Sequence, residues 1–104
     1  MAVWVAGVVR RIRELAAAGR VSLTLKALRE LAVLRLDADD AVDVLRGLSS
    51  GDAHARLRAV ETGEWMYVFK PKVAEVIVYL KVVVRDDCVL VSFHEDEASD
   101  DDSA

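Results

Sequence analysis

Cysteine and proline are nearly absent from this chain, which contains one of each, Cys88 and Pro71. A lone cysteine excludes an internal disulfide and any metal site built from several cysteines. We therefore expect a cytoplasmic protein, because structural disulfides are typical of exported domains. Long apolar runs are absent too. A membrane-spanning helix needs about 20 consecutive apolar residues, and Lys81 interrupts the most apolar stretch, so we expect no membrane partner.

Acidic side chains are concentrated at one end of the chain. The net charge is −4, with 18 acidic against 14 basic residues in 104 positions. Six of the acids lie in the last ten positions, so residues 1–94 carry a net charge of +2 and residues 95–104 carry −6. Blocks of like charge with few apolar residues are typical of disordered segments. We predict a single domain over residues 1–94 and a disordered acidic tail over residues 95–104. The tail either keeps the protein soluble or competes with a polyanion for a basic surface.

Apolar residues recur with helical spacing in the first half of the chain. We predict helices over residues 4–18, 25–34 and 38–48. Gly19 is a typical helix stop, and Thr24 and Asp37 are typical N-caps for the second and third helices. Within the second helix we expect Leu28 and Leu31 to face inward.

From His54 onward the spacing of apolar residues changes to two, the period of a β-strand. We predict strands over residues 55–62, 65–70, 76–84 and 88–94. Gly63 and Pro71 are expected to separate the earlier strands. Helices followed by strands indicate an α+β domain. In such a domain the N-terminal helices pack on one face of a C-terminal antiparallel β-meander and leave the other face for function.

The last two predicted strands form a hairpin around an acidic pair, residues 86–87. If these two residues form the loop, Tyr79 lies opposite His94 and Lys81 lies opposite Ser92 on one face. The other face would pair three sets of apolar residues: Leu80 with Phe93, Val82 with Val91, and Val84 with Val89. A shift by one residue would mix polar and apolar side chains, so burial selects this register.

The polar face of this hairpin combines a phenol, an ammonium, a hydroxyl and an imidazole, which suits RNA cleavage without a metal or another cofactor. In that reaction the ribose 2′-OH attacks the adjacent phosphate and expels the 5′-oxygen, which requires a base, an acid and positive charge. Tyr79 and His94 can move the protons, since imidazole ordinarily changes charge near neutral pH. Lys81 can stabilise the phosphate as a third catalytic residue. We expect further phosphate or RNA contacts from four basic residues: Arg56, Arg58, Lys70 and Lys72.

Each of these residues also has a purely structural interpretation. His94 at a strand end can be an ordinary surface histidine, and Lys81 can be a solvent-face lysine that prevents aggregation. Trp65 and Tyr67 would stack on RNA bases if exposed, but core packing is the more common role of such residues. Cys88 is expected to be a small core residue rather than a nucleophile.

Four segments of the chain resemble the MqsR family of bacterial toxins, the motility quorum-sensing regulator type of mRNA interferase. The resemblance lies in Ala17-Ala18-Gly19-Arg20-Val21 with Thr24; in Leu36-Asp37 followed by Gly47-Leu48-Ser49 and Asp52; in Trp65-x-x-Val-Phe-Lys-Pro; and in Val78-Tyr79-Leu80-Lys81-Val82 through Asp87 to Val89-Leu90-Val91-Ser92-Phe93. These segments follow the family's order with nearly its spacing, across about residues 15–97.

The resemblance implies a RelE-like fold and the toxin of a type II toxin–antitoxin system, a metal-independent endoribonuclease that cleaves mRNA and is neutralised by a cognate antitoxin protein. It leaves a homodimer open. By position, the family's active-site tyrosine corresponds to Tyr79, and a family lysine is replaced by His94. The family's glutamine is replaced by Met66, which forms no strong hydrogen bond. A second lysine of the family has no clean match in this chain, where Ala55 and Arg56 lie near its position. A non-catalytic protein on the same fold, binding an antitoxin-like partner or RNA, is the alternative. A small structural domain is a third interpretation.

Overall fold

Helices occupy the first half of the chain, and most strands occupy the second half. The computed structural model describes residues 2–97 of the 104-residue chain. Within these residues the helices are α1 (Trp4–Ala17), α2 (Leu25–Val33) and α3 (Ala38–Arg46), followed by a 3-10 turn (Ser50–Asp52). The strands are β1 (Val21–Leu23), β2 (Ala53–Arg58), β3 (Trp65–Phe69), β4 (Lys72–Val73), β5 (Val76–Val84) and β6 (Cys88–Glu95). This arrangement confirms the predicted α+β class.

The helix boundaries follow from local hydrogen bonds. The Thr24 hydroxyl accepts a hydrogen bond from the Ala27 N–H at 3.0 Å and so caps α2. Asp37 and Asp40 form a capping box at the start of α3, in which each side chain accepts the other's backbone N–H at 2.9 Å. Gly19 ends α1 with a φ of +73°, which favours glycine. Each N-cap stabilises its helix by about 1 kcal/mol. None of the helices in the described part of the chain is long and apolar enough to span a bilayer.

The sheet has the strand order β1-β6-β5-β3-β2, and β4 pairs with β5 beside this path. Strands β2, β3, β5 and β6 pair antiparallel in chain order, which confirms the predicted meander. Strand β1 was not predicted. It is three residues long, too short to show an alternating pattern, and it pairs in parallel with β6. The segment between α1 and α2 therefore extends the sheet and places α2 beside β6.

The core lies between the helices and one face of the sheet. Its main apolar residues are Val5, Val9, Ile12, Leu15, Ala27, Leu31, Ala41 and Leu45 from the helices and Phe69, Val78, Leu80, Val82, Leu90 and Phe93 from the strands. The predicted inward position of Leu31 is confirmed, but Leu28 is 43% exposed, so its predicted burial is wrong. Because α2 lies at the edge of the sheet, only the narrow stripe of Ala27 and Leu31 reaches the core.

The β5–β6 hairpin contains a bulge that the predicted register lacks. Tyr79 pairs with His94 and Lys81 with Ser92, as predicted, but the register then shifts between Lys81 and Val82. Beyond the shift, Val82 pairs with Leu90, Val83 with Val89 and Val84 with Cys88. The predicted two-residue loop is wrong, and the loop comprises residues 85–87. A two-residue loop favours residues that readily adopt positive φ, such as Asn-Gly, and the acidic pair here lacks a glycine.

The bulge changes which side chains of β6 face the core. Cys88, Leu90 and Phe93 are all fully buried. Val89 and Val91, which were predicted on the apolar face, are only partly buried and do not belong to the core. One extra residue in a bulge shifts the alternation of the strand, and this shift allows all three buried residues to face inward.

The folded domain extends past the predicted boundary at residue 94. Glu95 is the last residue of β6. The backbone N–H of Asp96 donates to the carbonyl oxygen of Ile77 at 2.8 Å, and Asp96 is only 7% exposed. These two acidic residues therefore belong to the domain. Residues 98–104, the remainder of the predicted tail, lie outside the described residues.

Candidate active site

A tyrosine and a histidine lie side by side on the sheet face that is opposite the hydrophobic core. Tyr79 on β5 and His94 on β6 are register partners. Their rings stack with centroids 5.0 Å apart and planes inclined by 8°. Both side chains are partly exposed. The structure therefore confirms the predicted juxtaposition of a phenol and an imidazole at an accessible surface.

The imidazole of His94 is held by the adjacent backbone. Its Nδ1 atom lies 2.8 Å from the carbonyl oxygen of Glu95. A carbonyl oxygen only accepts hydrogen bonds, so Nδ1 carries a proton in this contact. In the neutral ring, Nε2 then has the free lone pair and can accept a proton, whereas in the charged ring Nε2 can donate one. The contact thus prepares Nε2 for acid–base chemistry.

The neighbouring register pair adds a cation and a hydroxyl. Lys81 lies opposite Ser92, one step along the same face from Tyr79 and His94. Lys81 is partly exposed, and within residues 2–97 its ammonium forms no ion pair or hydrogen bond. Ser92 is only 1% exposed. Lys81 therefore provides an uncompensated positive charge beside the ring pair.

A second cation reaches this pair from α2 and was not predicted. Lys26 Nζ lies 2.7 Å from Ser92 Oγ and 3.7 Å from Glu30 Oε2. The other carboxylate oxygen of Glu30 accepts the backbone N–H of Phe93 at 2.9 Å. The sequence carries one local signal for this arrangement, the Thr24 cap that starts α2 just before Lys26. The position of α2 beside β6 depends on the short strand β1, which an alternation pattern does not reveal.

Two of the predicted RNA-binding lysines are paired with carboxylates. Lys70 directly follows β3, and the pairing of β3 with β5 places it next to Tyr79. Its ammonium lies 3.3 Å from Asp96, and the two side chains are 22% and 10% exposed. Lys72 on β4 lies 3.5 Å from Glu75 and is 61% exposed. Lys70 is therefore close to the candidate site, but a carboxylate that follows β6 balances its charge.

Arg56 and Arg58 lie on the opposite face of the sheet. They pair with Tyr67 and Trp65 of β3, whose side chains face the helices. The guanidinium carbons of the two arginines lie 4.1 and 4.6 Å from the Trp65 ring centroid. The Tyr67 ring contacts the Trp4 ring at a tilt of 37° with centroids 5.3 Å apart, so it packs against the core rather than offering a surface for bases. Alternation along β2 thus separates both arginines from Lys81 and Lys70, and their contact with RNA stays a prediction.

The residues of strand β3 itself that face the candidate site are apolar. Met66 and Val68 alternate with the aromatic residues of β3, and Val68 pairs with Lys81 on the face of the site. Met66 stands where the family resemblance implies a glutamine, and its thioether is only a weak hydrogen-bond acceptor. The polar groups described above are provided by β5, β6 and α2 instead.

Cys88 is unsuited to nucleophilic catalysis. The residue is fully buried, and this burial, together with the negative charge of Asp87, raises the pKa of its thiol to about 12. Such a thiol is not ionised near neutral pH, and only the thiolate is a strong nucleophile. The prediction that Cys88 is a core residue is confirmed. Among residues 2–97, no group of three or more His, Cys, Asp or Glu side chains is arranged to hold a metal ion.

A cavity of about 330 Å³ opens beside His94, between α2 and the end of β6. Its lining consists of His94, Glu95 and Glu97 together with Glu30, Val33 and Leu34 of α2 and its C-terminal end. The cavity borders the imidazole on the side of α2, and three of its six lining residues are glutamates.

Two comparisons with known proteins point to one family. The model of the family described as "Motility quorum-sensing regulator, toxin of MqsA" matches residues 8–95. The chain is also similar to the mRNA interferase toxin MqsR of Escherichia coli (strain K12). The two sequences are 34% identical over 86 residues, which are 82% of this chain and 88% of the relative. The matched region extends from within α1 to the end of β6 and includes the whole candidate site. The chain therefore belongs to the family of motility quorum-sensing regulator toxins.

Proposed function

We propose that this protein is the toxin of a type II toxin–antitoxin system and a metal-independent endoribonuclease that cleaves cytoplasmic mRNA. The observation that carries the proposal is the stacked pair of Tyr79 and His94, with the charge of Lys81 one step away on the same face. Membership of a toxin family and similarity to a protein named mRNA interferase support the same activity.

The proposed reaction uses two proton transfers. His94 Nε2 accepts the proton of the ribose 2′-OH, and the 2′-oxygen attacks the adjacent phosphorus. The bond from phosphorus to the 5′-oxygen breaks, and the Tyr79 hydroxyl donates a proton to that departing oxygen. The products are a 2′,3′-cyclic phosphate on one fragment and a free 5′-hydroxyl on the other. The parallel stacking of the two rings allows both to face one phosphodiester group.

Lys81 stabilises the charge that develops on the phosphate. The attacked phosphorus passes through a phosphorane that carries additional negative charge, and a cation already in place lowers the energy of that state. The Lys81 ammonium lies on the same face as the rings and has no carboxylate partner within the described residues. Lys70 contributes less because Asp96 balances its charge.

The proposed partners are a cognate antitoxin protein and the mRNA substrate. The description of the family names a toxin "of MqsA", which supports a cognate neutralising partner for this chain. Expression of the toxin alone should arrest bacterial growth, and co-expression of the neighbouring open reading frame should relieve the arrest. Harmless expression of the toxin alone would argue against the assignment. Analytical ultracentrifugation of the purified toxin tests whether two copies associate.

Incubation of the purified protein with RNA in EDTA tests the enzymatic activity. We expect cleavage that Mg²⁺ does not accelerate, with cyclic phosphate and 5′-hydroxyl ends. The variant Lys81→Met should leave the ring pair intact and slow the cleavage. Intact RNA at high protein concentration would contradict the nuclease assignment.

A non-catalytic protein that binds RNA or an antitoxin-like partner is the second candidate. Met66 favours it, because this apolar side chain stands on β3 where the resemblance to the family implies a glutamine. The same incubation separates the two functions. Retention of intact RNA in a gel-shift assay would support the binding protein.

A further inference from the structure

We propose that Lys26, Ser92 and Lys81 form a binding site for an RNA phosphate beside the Tyr79–His94 pair, and that Lys26 contacts this phosphate directly. The site deepens the proposed nuclease function and rests on it. Lys26 belongs to α2, the helix that lies against β6, so the site joins the helical part of the domain to the sheet.

The three side chains form a row across α2, β6 and β5. Lys26 Nζ lies 2.7 Å from Ser92 Oγ, and Ser92 is the register partner of Lys81. The next residues on the same face are Tyr79 and His94. Successive residues on one face of a strand are about 7 Å apart. A phosphate held by the row therefore lies within one strand repeat of the reactive rings.

Both ammonium groups retain hydrogen-bond donors for an anion. An ammonium has three N–H donors. Lys26 directs one of them at Ser92, and its distance of 3.7 Å from Glu30 is longer than a normal hydrogen bond. Lys81 uses none within residues 2–97. Ser92 thus has one ammonium at its hydroxyl and a second lysine as its register partner, and an anion near both cations is favoured electrostatically. The oxygens of a phosphate can accept hydrogen bonds from both.

Hydrogen bonds to β6 fix the helix on either side of Lys26. Thr24 Oγ1 donates to the carbonyl oxygen of Val91 at 3.1 Å. Six residues further along α2, Glu30 accepts the backbone N–H of Phe93 at 2.9 Å. The backbone that carries Lys26 is therefore held in place before RNA binds. A preorganised group loses less free energy to ordering when its ligand binds.

The ordinary alternative is a surface ion pair between Lys26 and Glu30. Such a pair contributes little to stability and predicts no effect of Lys26 on RNA binding. The contacts favour the phosphate site, because Lys26 lies closer to Ser92 than to Glu30. The cation on the β3 side, Lys70, is paired with Asp96. Lys26, whose ammonium lies 3.7 Å from Glu30, is therefore the second cation beside the ring pair that we expect to reach a phosphate.

Three variants of the full chain test the site: Lys26→Met, Lys26→Arg and, as the matched control, Arg29→Met. Arg29 is an exposed cation one turn further along α2, and within residues 2–97 its side chain forms no ion pair or hydrogen bond. Arg29→Met changes the net charge by the same amount as Lys26→Met and leaves the row of Lys26, Ser92 and Lys81 unaltered. The probe is a single-stranded RNA with 2′-O-methyl riboses, which binds but cannot be cleaved by its own 2′-oxygens. Fluorescence anisotropy gives its Kd at several salt concentrations, and circular dichroism checks that each variant folds.

We expect Lys26→Met to raise the Kd of the probe about tenfold. It should also lower the slope of log Kd against log salt by about 0.7, the loss of one phosphate contact to a single strand. Lys26→Arg should retain most of the affinity, and Arg29→Met should change Kd less than about twofold because an exposed charge is screened.

Equal effects of Lys26→Met and Arg29→Met would overturn the site, and so would failure of the wild-type protein to bind the probe. These outcomes can be distinguished from failure of the nuclease proposal. Cleavage of unmodified RNA together with equal Kd values for Lys26→Met and Arg29→Met would refute only the phosphate site. Binding that depends on Lys26 without any cleavage would refute only the nuclease.

Discussion

Replacing the Tyr79–His94 pair by phenylalanine separates the chemistry of the two rings from their packing. The variants Tyr79→Phe and His94→Phe, and the double variant, keep two aromatic rings where the structure stacks them 5.0 Å apart. Each substitution removes one group that transfers a proton. A positioned acid or base contributes about 10²–10⁴-fold in rate, which corresponds to about 3–5 kcal/mol of activation free energy. We therefore expect each single variant to lower kcat about 100-fold or more.

The double variant should cleave RNA at about the rate of the slower single variant. The proposed proton acceptor His94 and donor Tyr79 serve one reaction, and the effects of groups that act as a unit are not additive. The assay is single-turnover cleavage of a short labelled RNA at saturating protein, so that the observed rate constant reports the chemical step. The joint role of the rings would be refuted if the fold-loss of rate in the double variant equalled the product of the two single losses. Full activity of Tyr79→Phe would refute it too.

Thermal unfolding provides the control for these variants. A stacked aromatic pair contributes about 0.5–1.5 kcal/mol, most of which two phenylalanines retain. His94→Phe also removes the hydrogen bond from Nδ1 to the carbonyl oxygen of Glu95, at a net cost of about 1 kcal/mol. A loss of this size lowers the Tm of a domain of this length by no more than about 8 °C. A catalytic role predicts a large loss of rate in variants that remain folded at the assay temperature. A loss of rate that is explained by the fraction of unfolded protein would contradict that role.

Three further predictions concern groups outside the ring pair. Cys88 is fully buried and its thiol has a pKa of about 12, so a thiol-specific reagent should label it only after unfolding; rapid labelling of the native protein would contradict this. Glu64 accepts hydrogen bonds from Arg85 at 2.8 and 2.7 Å, which lower the pKa of its carboxyl from the ordinary value. The contact stabilises the fold above the ordinary carboxyl pKa and is lost as the pH falls through the lowered folded pKa, so the Tm difference between wild type and Glu64→Gln should vanish in acid. A constant difference would contradict the pairing. Asp96→Asn removes the carboxylate beside largely buried Lys70 and should lower the free energy of unfolding in urea by about 1–3 kcal/mol; unchanged stability would argue against the ion pair.

Short-range signals in the sequence were sufficient for the helix ends and for the ring pair. Thr24, Asp37 and Gly19 act through contacts within a few residues of themselves, so propensity alone locates them. The pairing of Tyr79 with His94 requires only alternation and the closure of one hairpin. The resemblance to the toxin family independently directs attention to the same tyrosine.

The errors arose where distant contacts decide the structure. Val91 and Phe93, at the bulge, contact α2 across 67 and 63 residues of sequence, so no property of the hairpin alone reveals the shift. Lys26 enters the site through a contact across 66 residues. Arg56 and Arg58 were correctly placed on one side of their strand, but alternation does not say which side faces the helices. That choice depends on how β2 pairs with the aromatic strand β3.

In the proposed mechanism the 2′-oxygen of the substrate is the nucleophile, and protein side chains alone move the protons. The most direct measurement is cleavage in EDTA of a mapped RNA in which the ribose preceding the scissile phosphate is replaced by deoxyribose. We predict that cleavage at that position stops, while the unmodified RNA is cleaved to a 2′,3′-cyclic phosphate in the same buffer. Cleavage at the deoxyribose, or a requirement of the unmodified RNA for a divalent metal ion, would contradict the proposed mechanism.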